Sequence, residues 1–370
     1  MAALYVGLMS GTSMDAVDAV LADLDKPSAP ILAHHNHDIP SELRATLLAL
    51  AHGEDDSLHR VASTDIRLGE LFAAAVVELL RGSDTGPAEV KAIGSHGQTV
   101  RHHPQGDAAY SWQLGDPSRI AERTGITTVS NFRGRDLAVG GQGAPLAPAF
   151  HTHAWRSPAQ DRVVANIGGI SNISFLPADS KQPVRGFDAG PGNVLIDGWI
   201  EAHRGEPMDR DGAWAAQGQI DDALVHALLA DPYFELAPPK STGREHFNLK
   251  WLEERMRGLA DLAPETVQRS LCQLTAASIA KALSACGAES GAMYVCGGGA
   301  HNPLLMADLT ALLPDWAVTS TETLGVHPDW VEALAFAWLA SQTLAGLPGN
   351  MPSVTGAARP VVLGSIYPGC

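Results

Sequence analysis

Positive charge is scarce in this sequence: 25 lysines and arginines face 41 aspartates and glutamates, a net charge of −16 with histidine neutral. That sign repels phosphodiester backbones and anionic membrane surfaces, so neither nucleic acid nor a membrane is an expected partner. Long hydrophobic runs are also missing. The longest apolar stretch, Ala333 to Ala340, has eight residues, where a membrane span needs about twenty. No basic residue precedes Lys26, so the opening MAALYVGLM lacks a charged leader and reads as a buried first strand, not an export signal. Cysteine is limited to Cys272, Cys286, Cys296 and Cys370, with no CxxC pair and no metal-finger spacing. Such usage fits a reducing cytoplasm without disulfides, although an even number leaves a bridge open.

What is present is a chain of 370 residues with 45% hydrophobic side chains, enough for packed interiors and long enough for about two domains. Short apolar runs alternate with longer amphipathic segments, the pattern of an α/β protein. Strands are expected at 4–9, 31–39, 90–95, 111–114, 127–131, 162–167, 173–176, 184–187 and 293–296. Helices are expected at 41–51, 61–81, 193–203, 219–230, 302–313 and 328–345, with a further one opening at Pro264 and stopping before Gly287.

Glycine, 37 residues in all, gathers where strands end. Clusters lie at Gly7 to Gly11, Gly94 to Gly97, Gly140 to Gly143, Gly168 with Gly169, and Gly297 to Gly299. Glycine permits positive φ and close backbone approach, so such turns can offer N–H groups to phosphate oxygens. Any one cluster alone is weak evidence and more often marks a tight strand-to-helix turn.

In LMSGTSMDAVDAV an apolar strand runs into Gly11, Thr12 and Ser13, then Asp15 and Asp18. The lysine of a P-loop is missing, so phosphate would be held by backbone amides, hydroxyls and a divalent cation positioned by Asp15, unless Ser13 or Asp15 merely caps the turn. VANIGGISNIS places Gly168 and Gly169 between two strands, with Asn172 and Ser174 alternating against Ile173, as a second phosphate hairpin. In MYVCGGGAHNPLL, Gly297, Gly298 and Gly299 let a flat ring lie on the backbone ahead of a helix N-terminus. No dinucleotide GxGxxG fingerprint is matched. Three dispersed glycine turns suggest a nucleotide held between two lobes, as in the actin-like ATPase and sugar kinase superfamily.

The blocks MSGTSMDAVDAV, IGSHGQTVRH, GGQGAPLAPAFH, NIGGISNIS, GFDAGPGNVLIDGWI, DRDGAWAAQG, PKSTGREHFNL, CGGGAHNPLL and EALAFAWLA together resemble the anhydro-N-acetylmuramic acid kinase family, from Gly7 to near Gly356. The resemblance implies a two-lobed α/β actin-like (sugar kinase) fold with an interdomain nucleotide cleft. The first lobe is expected from 1–137 with 346–370 and the second from 138–345. It also implies a cytoplasmic homodimer that uses ATP and Mg²⁺ to convert 1,6-anhydro-N-acetylmuramic acid and water into N-acetylmuramic acid 6-phosphate, a step of cell-wall recycling. By the same resemblance Gly11, Thr12, Ser13, Met14, Asp15, Ala16, Val17 and Asp18 form the ATP phosphate motif, and Asp188 in GFDAGPGN is the general base. One departure stands out: where the family's first motif usually reads GTSxDGxD, this chain has Ala16. Alanine strains the turn if that position needs positive φ and is harmless in a strand.

The residues support a base at Asp188 on their own terms. It follows an apolar strand and precedes a Gly-Pro-Gly turn, so its carboxylate is expected at a strand end, although an Asp before such a turn is often only a turn former. A carboxylate that deprotonates water adds about 10²- to 10⁴-fold to opening an internal acetal. His96, Gln98, Arg133 and Glu332 are candidates for sugar hydroxyls, the acetamide and the lactyl carboxylate, Arg133 for its planar donor fork. Glu332 is equally a first-turn acid of the helix after Pro328. His34, His35, His37, His102 and His103 read as surface residues, not metal ligands. Three rivals remain: a conventional amino-sugar kinase acting on a free hydroxyl, a non-catalytic actin-like nucleotide-binding protein, and a glycosidase. The last has no use for nucleotide turns and needs two carboxylates flanking the bond.

Overall fold

The computed structural model describes residues 3–26, 30–54 and 56–370. Its strands are β1 (Leu4–Met9), β2 (Ala16–Asp23), β3 (Ile31–Asp38), β4 (Ala92–Ser95), β5 (Gln98–His103), β6 (Tyr110–Leu114), β7 (Thr128–Ser130), β8 (Arg162–Ile167), β9 (Ile170–Leu176), β10 (Arg185–Pro191), β11 (Gly291–Cys296), β12 (Trp316–Ser320) and β13 (Ser365–Tyr367). Internal contacts group the chain into two units. One takes Met1–Ala154, Leu324–Val326 and Trp330–Cys370; the other takes Trp155–Thr323 and His327–Asp329.

The first unit is built on a six-stranded sheet ordered β13-β7-β4-β1-β2-β3. β1 runs antiparallel to β2, with Met9 opposite Asp18, and parallel to β4. Every residue of β1 is buried, and its two faces have different neighbours because side chains alternate along a strand. Leu4, Val6 and Leu8 join a cluster with Leu68, Phe72, Val76 and Leu79 of the helix Leu58–Ser83. Full burial of each such side chain stabilises by about 1.5–3 kcal/mol. On the opposite face Gly7 of β1 and Gly94 of β4 meet the helix Val331–Leu344, where a Cβ would collide with the carbonyls of Ala333 and Phe336. These two strand glycines therefore serve close helix-to-sheet packing, not ligand approach. The Ala333 to Ala340 run is this helix, buried along that whole stretch.

The second unit carries a five-stranded sheet ordered β10-β9-β8-β11-β12. β8, β11 and β12 are parallel, while β9 and β10 return as antiparallel strands. The helix Pro264–Ser284 opens with proline in its first turn, and Gly287 follows its end at φ +72°. Ala276, Ile279 and Leu283 pack on Val163, Phe175, Met293 and Val295 of the sheet. Leu271 and Leu274 of the same helix join a second cluster with Tyr233, Phe234, Phe247 and Trp251.

Several elements go beyond the sequence pattern. β2 was hidden in DAVDAVLAD, whose strand residues are almost all buried and so lack the alternation of a half-exposed strand. β12 and the short helices Pro117–Thr124, Phe132–Ala138 and Leu249–Met256 are too brief to show a periodicity. Cys272, Cys286 and Cys296 are buried and Cys370 exposed, all as free thiols. No helix among the described residues is long and apolar enough to cross a membrane.

Candidate active site

β1 ends at Met9, and the chain reverses through residues 10–15 into β2. The Met14 amide donates to the Gly11 carbonyl at 3.2 Å, and Met14 itself takes φ +53°. Its side chain is buried with Leu8 and Val17, which pins the turn from beneath and leaves Thr12 and Asp15 exposed. Met14 and Val17 thus have only backbone groups to offer a ligand. Asp15 Oδ1 accepts from Ser13 Oγ at 2.6 Å and from the Ala16 amide at 3.0 Å. Ala16 opens β2 opposite Asp38, so alanine is unstrained there; the left-handed residue of the motif is Met14. A Cβ on Gly11 would meet nothing within 4 Å, so packing does not demand this glycine. Asp18 Oδ1 accepts from Asn36 Nδ2 at 2.8 Å within the sheet.

A cation also attends this turn. Arg44, from the helix Ser41–His52, donates Nε to the Ser13 carbonyl at 3.2 Å. Sequence spacing offered no basic residue for the motif, because Arg44 arrives only through the fold.

Still in the first unit, Ser10 Oγ lies 2.7 Å from Gln98 Oε1 and 3.0 Å from the Ala16 carbonyl, which ties the turn to β5. The His96 amide donates to the Leu8 carbonyl at 3.0 Å. Arg133 donates to His96 Nε2 from Nε at 3.3 Å and Nη2 at 2.8 Å, and from Nη1 to the Gly143 carbonyl at 2.7 Å. Burial first, and the Arg133 charge second, hold the His96 pKa well below its usual range. His96 is therefore a neutral acceptor at Nε2. Phe336 packs on the His96 ring at 4.7 Å between centroids, and Glu332 lies one turn earlier on the same helix face. The four sugar candidates thus gather around β4, β5 and two helices of one unit.

The Gly140 to Gly143 cluster has a different task. Asp136, fully buried, accepts from the Gly143 amide at 2.8 Å, Asn350 Nδ2 at 2.7 Å and Thr355 Oγ1 at 2.8 Å. It fastens the GGQG loop to the returning C-terminal segment. The sequence pattern had singled out the glycines and passed over this carboxylate.

In the second unit Asp188 lies inside β10 and not at the expected strand end, because the strand continues through Gly190 and Pro191; it sits at a bulge opposite Asn172, with the register shifting before Gly190. A bulge re-aims a strand side chain. Asp188 Oδ2 accepts from the Thr242 amide at 3.0 Å, its carbonyl accepts from Tyr233 Oη at 2.8 Å, and its amide donates to the Lys240 carbonyl at 3.3 Å. Lys240 Nζ donates to the Tyr233 carbonyl at 3.1 Å and sits 4.6 Å from the Tyr233 ring centroid. Burial and then Lys281 push the Lys240 pKa down, while Glu235 and Asp188 pull it up. Burial and the Asp188 charge raise the Tyr233 pKa. PKSTGRE, a motif without an assigned role in the sequence, is the clamp on Asp188.

The two glycine turns of this unit are also braced. Gly168 and Gly169 carbonyls accept from the amides of Gly192, Asn193 and Val194 at 2.8–3.1 Å. The Arg244 guanidinium lies 3.7 Å from where a Gly169 Cβ would stand, a second cation that spacing did not reveal. Gly297 takes φ +76° and donates its amide to the Pro328 carbonyl at 3.0 Å. A Cβ on Gly297 or Gly299 would collide with Asn166 or Ile167 respectively, whereas one on Gly298 meets only Asn193 Nδ2 at 3.6 Å. Gly298 is exposed and has no positive φ, so within the triplet it alone presents an open backbone face.

A family model described as anhydro-N-acetylmuramic acid kinase matches residues 3–369. The anhydro-N-acetylmuramic acid kinase of Coxiella burnetii (strain Dugway 5J108-111) is 49% identical over 98% of this chain and 97% of its own. That of Xanthomonas campestris pv. campestris (strain 8004) is 50% identical over 99% of this chain and 97% of its own. Among solved structures, (R)-2-hydroxyglutaryl-CoA dehydratase component A of Acidaminococcus fermentans superposes with a TM-score of 0.50, covering 93% of this chain and 99% of that one at 11% identity. That likeness concerns the fold alone, a mixed α/β architecture shared along almost the whole chain.

Proposed function

The chain belongs to the anhydro-N-acetylmuramic acid kinase family, and from that premise we propose how its own residues divide the reaction. The enzyme uses ATP to convert 1,6-anhydro-N-acetylmuramic acid into N-acetylmuramic acid 6-phosphate in cell-wall recycling. Asp188 is the general base. It takes a proton from water as the water oxygen bonds to C1 and the C1–O6 bond breaks. The freed O6 bonds to the γ-phosphorus, the bond to the ADP oxygen breaks, and the proton on Asp188 returns to solvent. The observation that carries this role is the carboxylate at the β10 bulge, oriented through Oδ2 by the Thr242 amide.

Neutral His96, Gln98, Arg133 and Glu332 bind the sugar's hydroxyls, acetamide and lactyl carboxylate. The amides of Gly11, Thr12, Ser13 and Asp15 and of Gly168 and Gly169 receive phosphate oxygens, with Arg44 and Arg244 supplying charge, and Gly298 lies against the adenosine. Asp15 would hold Mg²⁺: Oδ1 is fixed within the turn, and among the described residues Oδ2 has no hydrogen-bond partner, which suits a largely hydrated ion bound through one carboxylate oxygen. When bound, Mg²⁺ neutralises charge on the transferring phosphoryl group. Light scattering tests the homodimer, and cell fractionation the cytoplasmic location, that the family implies.

Isotopic water tests the order of bond making. Heavy oxygen from solvent is expected at C1 of product trapped early, above the exchange seen in a free-sugar control, and none in the phosphate. Label in the phosphate, or none at C1 beyond the control, refutes the coupled mechanism and favours a conventional kinase.

A further inference from the structure

His301, His327 and Asp329 converge on one side of the second unit. His301 ends the turn that begins at Gly298, and the other two flank Pro328. One ligand atom from each lies within 4.8 Å of the others. His301 Nε2 is 2.7 Å from Asp329 Oδ1, and His327 Nδ1 is 3.6 Å from Asp329 Oδ2. Tetrahedral zinc, with bonds of about 2.0–2.1 Å, sets its ligand atoms roughly 3.3 Å apart. His327 Nδ1 also accepts from the Asp329 amide at 3.4 Å, so small side-chain rotations that exchange this long bond for the metal bring the three atoms onto one ion.

We propose that His301, His327 and Asp329 form a site for one borderline divalent ion of the zinc class. The chemistry of the donors selects it. Two imidazoles and a carboxylate suit Zn²⁺, Co²⁺ or Ni²⁺, whereas Mg²⁺ prefers oxygen ligands and water. The far nitrogen of His327, Nε2, lies 3.7 Å from Glu322 Oε1, beyond hydrogen-bond length, so a small movement of the Glu322 side chain would complete the carboxylate-to-imidazole arrangement that orients a metal-bound histidine. The backbone is organised for it as well. The Gly297 amide bonded to the Pro328 carbonyl at 3.0 Å holds the two ligand segments together. Asn302 Oδ1 caps the next helix by accepting from the Leu304 and Leu305 amides at 3.1 and 3.2 Å, so His301 lies between two anchored points. His301 and His327 are exposed, so the ion has a path from solvent and a coordination position left for water. Occupancy would cross-link the glycine turn to the 327–329 segment.

The test uses the full, tag-free, metal-stripped chain. Zn²⁺ is titrated by calorimetry, Co²⁺ by visible absorption, and melting is followed with and without Zn²⁺. One ion per chain, four-coordinate cobalt bands and a zinc-dependent rise in Tm are expected. His301→Ala and His327→Ala should each weaken binding by at least roughly tenfold and remove the rise in Tm. His35→Ala, which breaks the His35–His37 pair at 3.2 Å on the edge strand β3, should leave binding unchanged. No saturable one-to-one binding, or binding lost in His35→Ala and retained in His327→Ala, overturns the proposal.

Discussion

Replacing Asp188 by asparagine separates its chemistry from its place in the fold. Asparagine keeps an oxygen that can accept from the Thr242 amide, now at 3.0 Å, and leaves untouched the backbone bonds from Tyr233 at 2.8 Å and to Lys240 at 3.3 Å. The charge assistance of the Thr242 hydrogen bond is lost, a difference of about 1 kcal/mol, which corresponds to a Tm shift of roughly 2–4 °C for a unit of this size, and the attraction of the carboxylate for Lys240 goes with it. The catalytic loss is larger. A general base contributes about 10²- to 10⁴-fold, or roughly 2.7–5.4 kcal/mol at 1.36 kcal/mol per factor of ten. The amide cannot take the proton from water, so kcat should fall by that factor with KM and ATP affinity little changed. ADP release coupled to a dye, product mass and ATP calorimetry on the same preparation read the three quantities. Turnover within about tenfold of the parent, in a variant that melts normally, would show that another group is the base. A parallel collapse of ATP affinity would show that Asp188 acts in binding.

Gly298→Val should fold normally, because its Cβ meets only Asn193 Nδ2 at 3.6 Å, yet weaken ATP at least roughly tenfold by calorimetry; Gly299→Val should instead lower stability by about 1–3 kcal/mol or more through its clash with Ile167. Unchanged ATP affinity in folded Gly298→Val would detach this triplet from the nucleotide. Asp136→Ala strands the Gly143 amide, Asn350 and Thr355 and should cost about 3 kcal/mol or more in denaturant melts, far more than a surface substitution. His96 and His151 are buried and held neutral in the fold, His151 by burial with its pKa lowered to about 3, whereas the unfolded value is about 6.5. The unfolded chain thus takes up protons first, so stability is full above about pH 6.5 and declines as pH falls below it. His151→Asn should flatten that decline in Tm against pH, and an unchanged slope would exclude His151 as a source. Asp15→Asn should raise the Mg²⁺ concentration needed for half-maximal rate, and chelation of the parent with EDTA should abolish turnover; an unaltered Mg²⁺ dependence would remove Asp15 from the metal.

Local features were legible in the chain. Apolar runs that end in glycine marked β1, β8 and β11, and Pro264 with Gly287 bracketed a long helix, because strand burial, a proline in the first turn and a glycine stop act over a few residues. Asp188 was expected at a strand end before a Gly-Pro-Gly turn, yet β10 runs on through Gly190 and Pro191, and the bulge beside Asp188 is set by pairing with β9, which no local pattern marks. What each glycine does depended on what the fold lays against it. Gly7 and Gly94 admit the backbone of a helix more than two hundred residues away in sequence, a packing fact with no local trace. Ala16 proved harmless because the turn puts its left-handed residue at Met14, a choice made by the Met14 side chain settling into the core. Arg44 at the Ser13 carbonyl, Arg244 beside Gly169, the Asp136 clamp and the His301, His327 and Asp329 cluster are all invisible to spacing, since each joins segments that only the fold brings within hydrogen-bonding or metal-binding reach. Sequence periodicity reports which residues are buried and where elements stop; the partners of a charged side chain are set by tertiary contacts, because electrostatic and hydrogen-bond energies depend on distances of a few ångströms that chain separation does not encode.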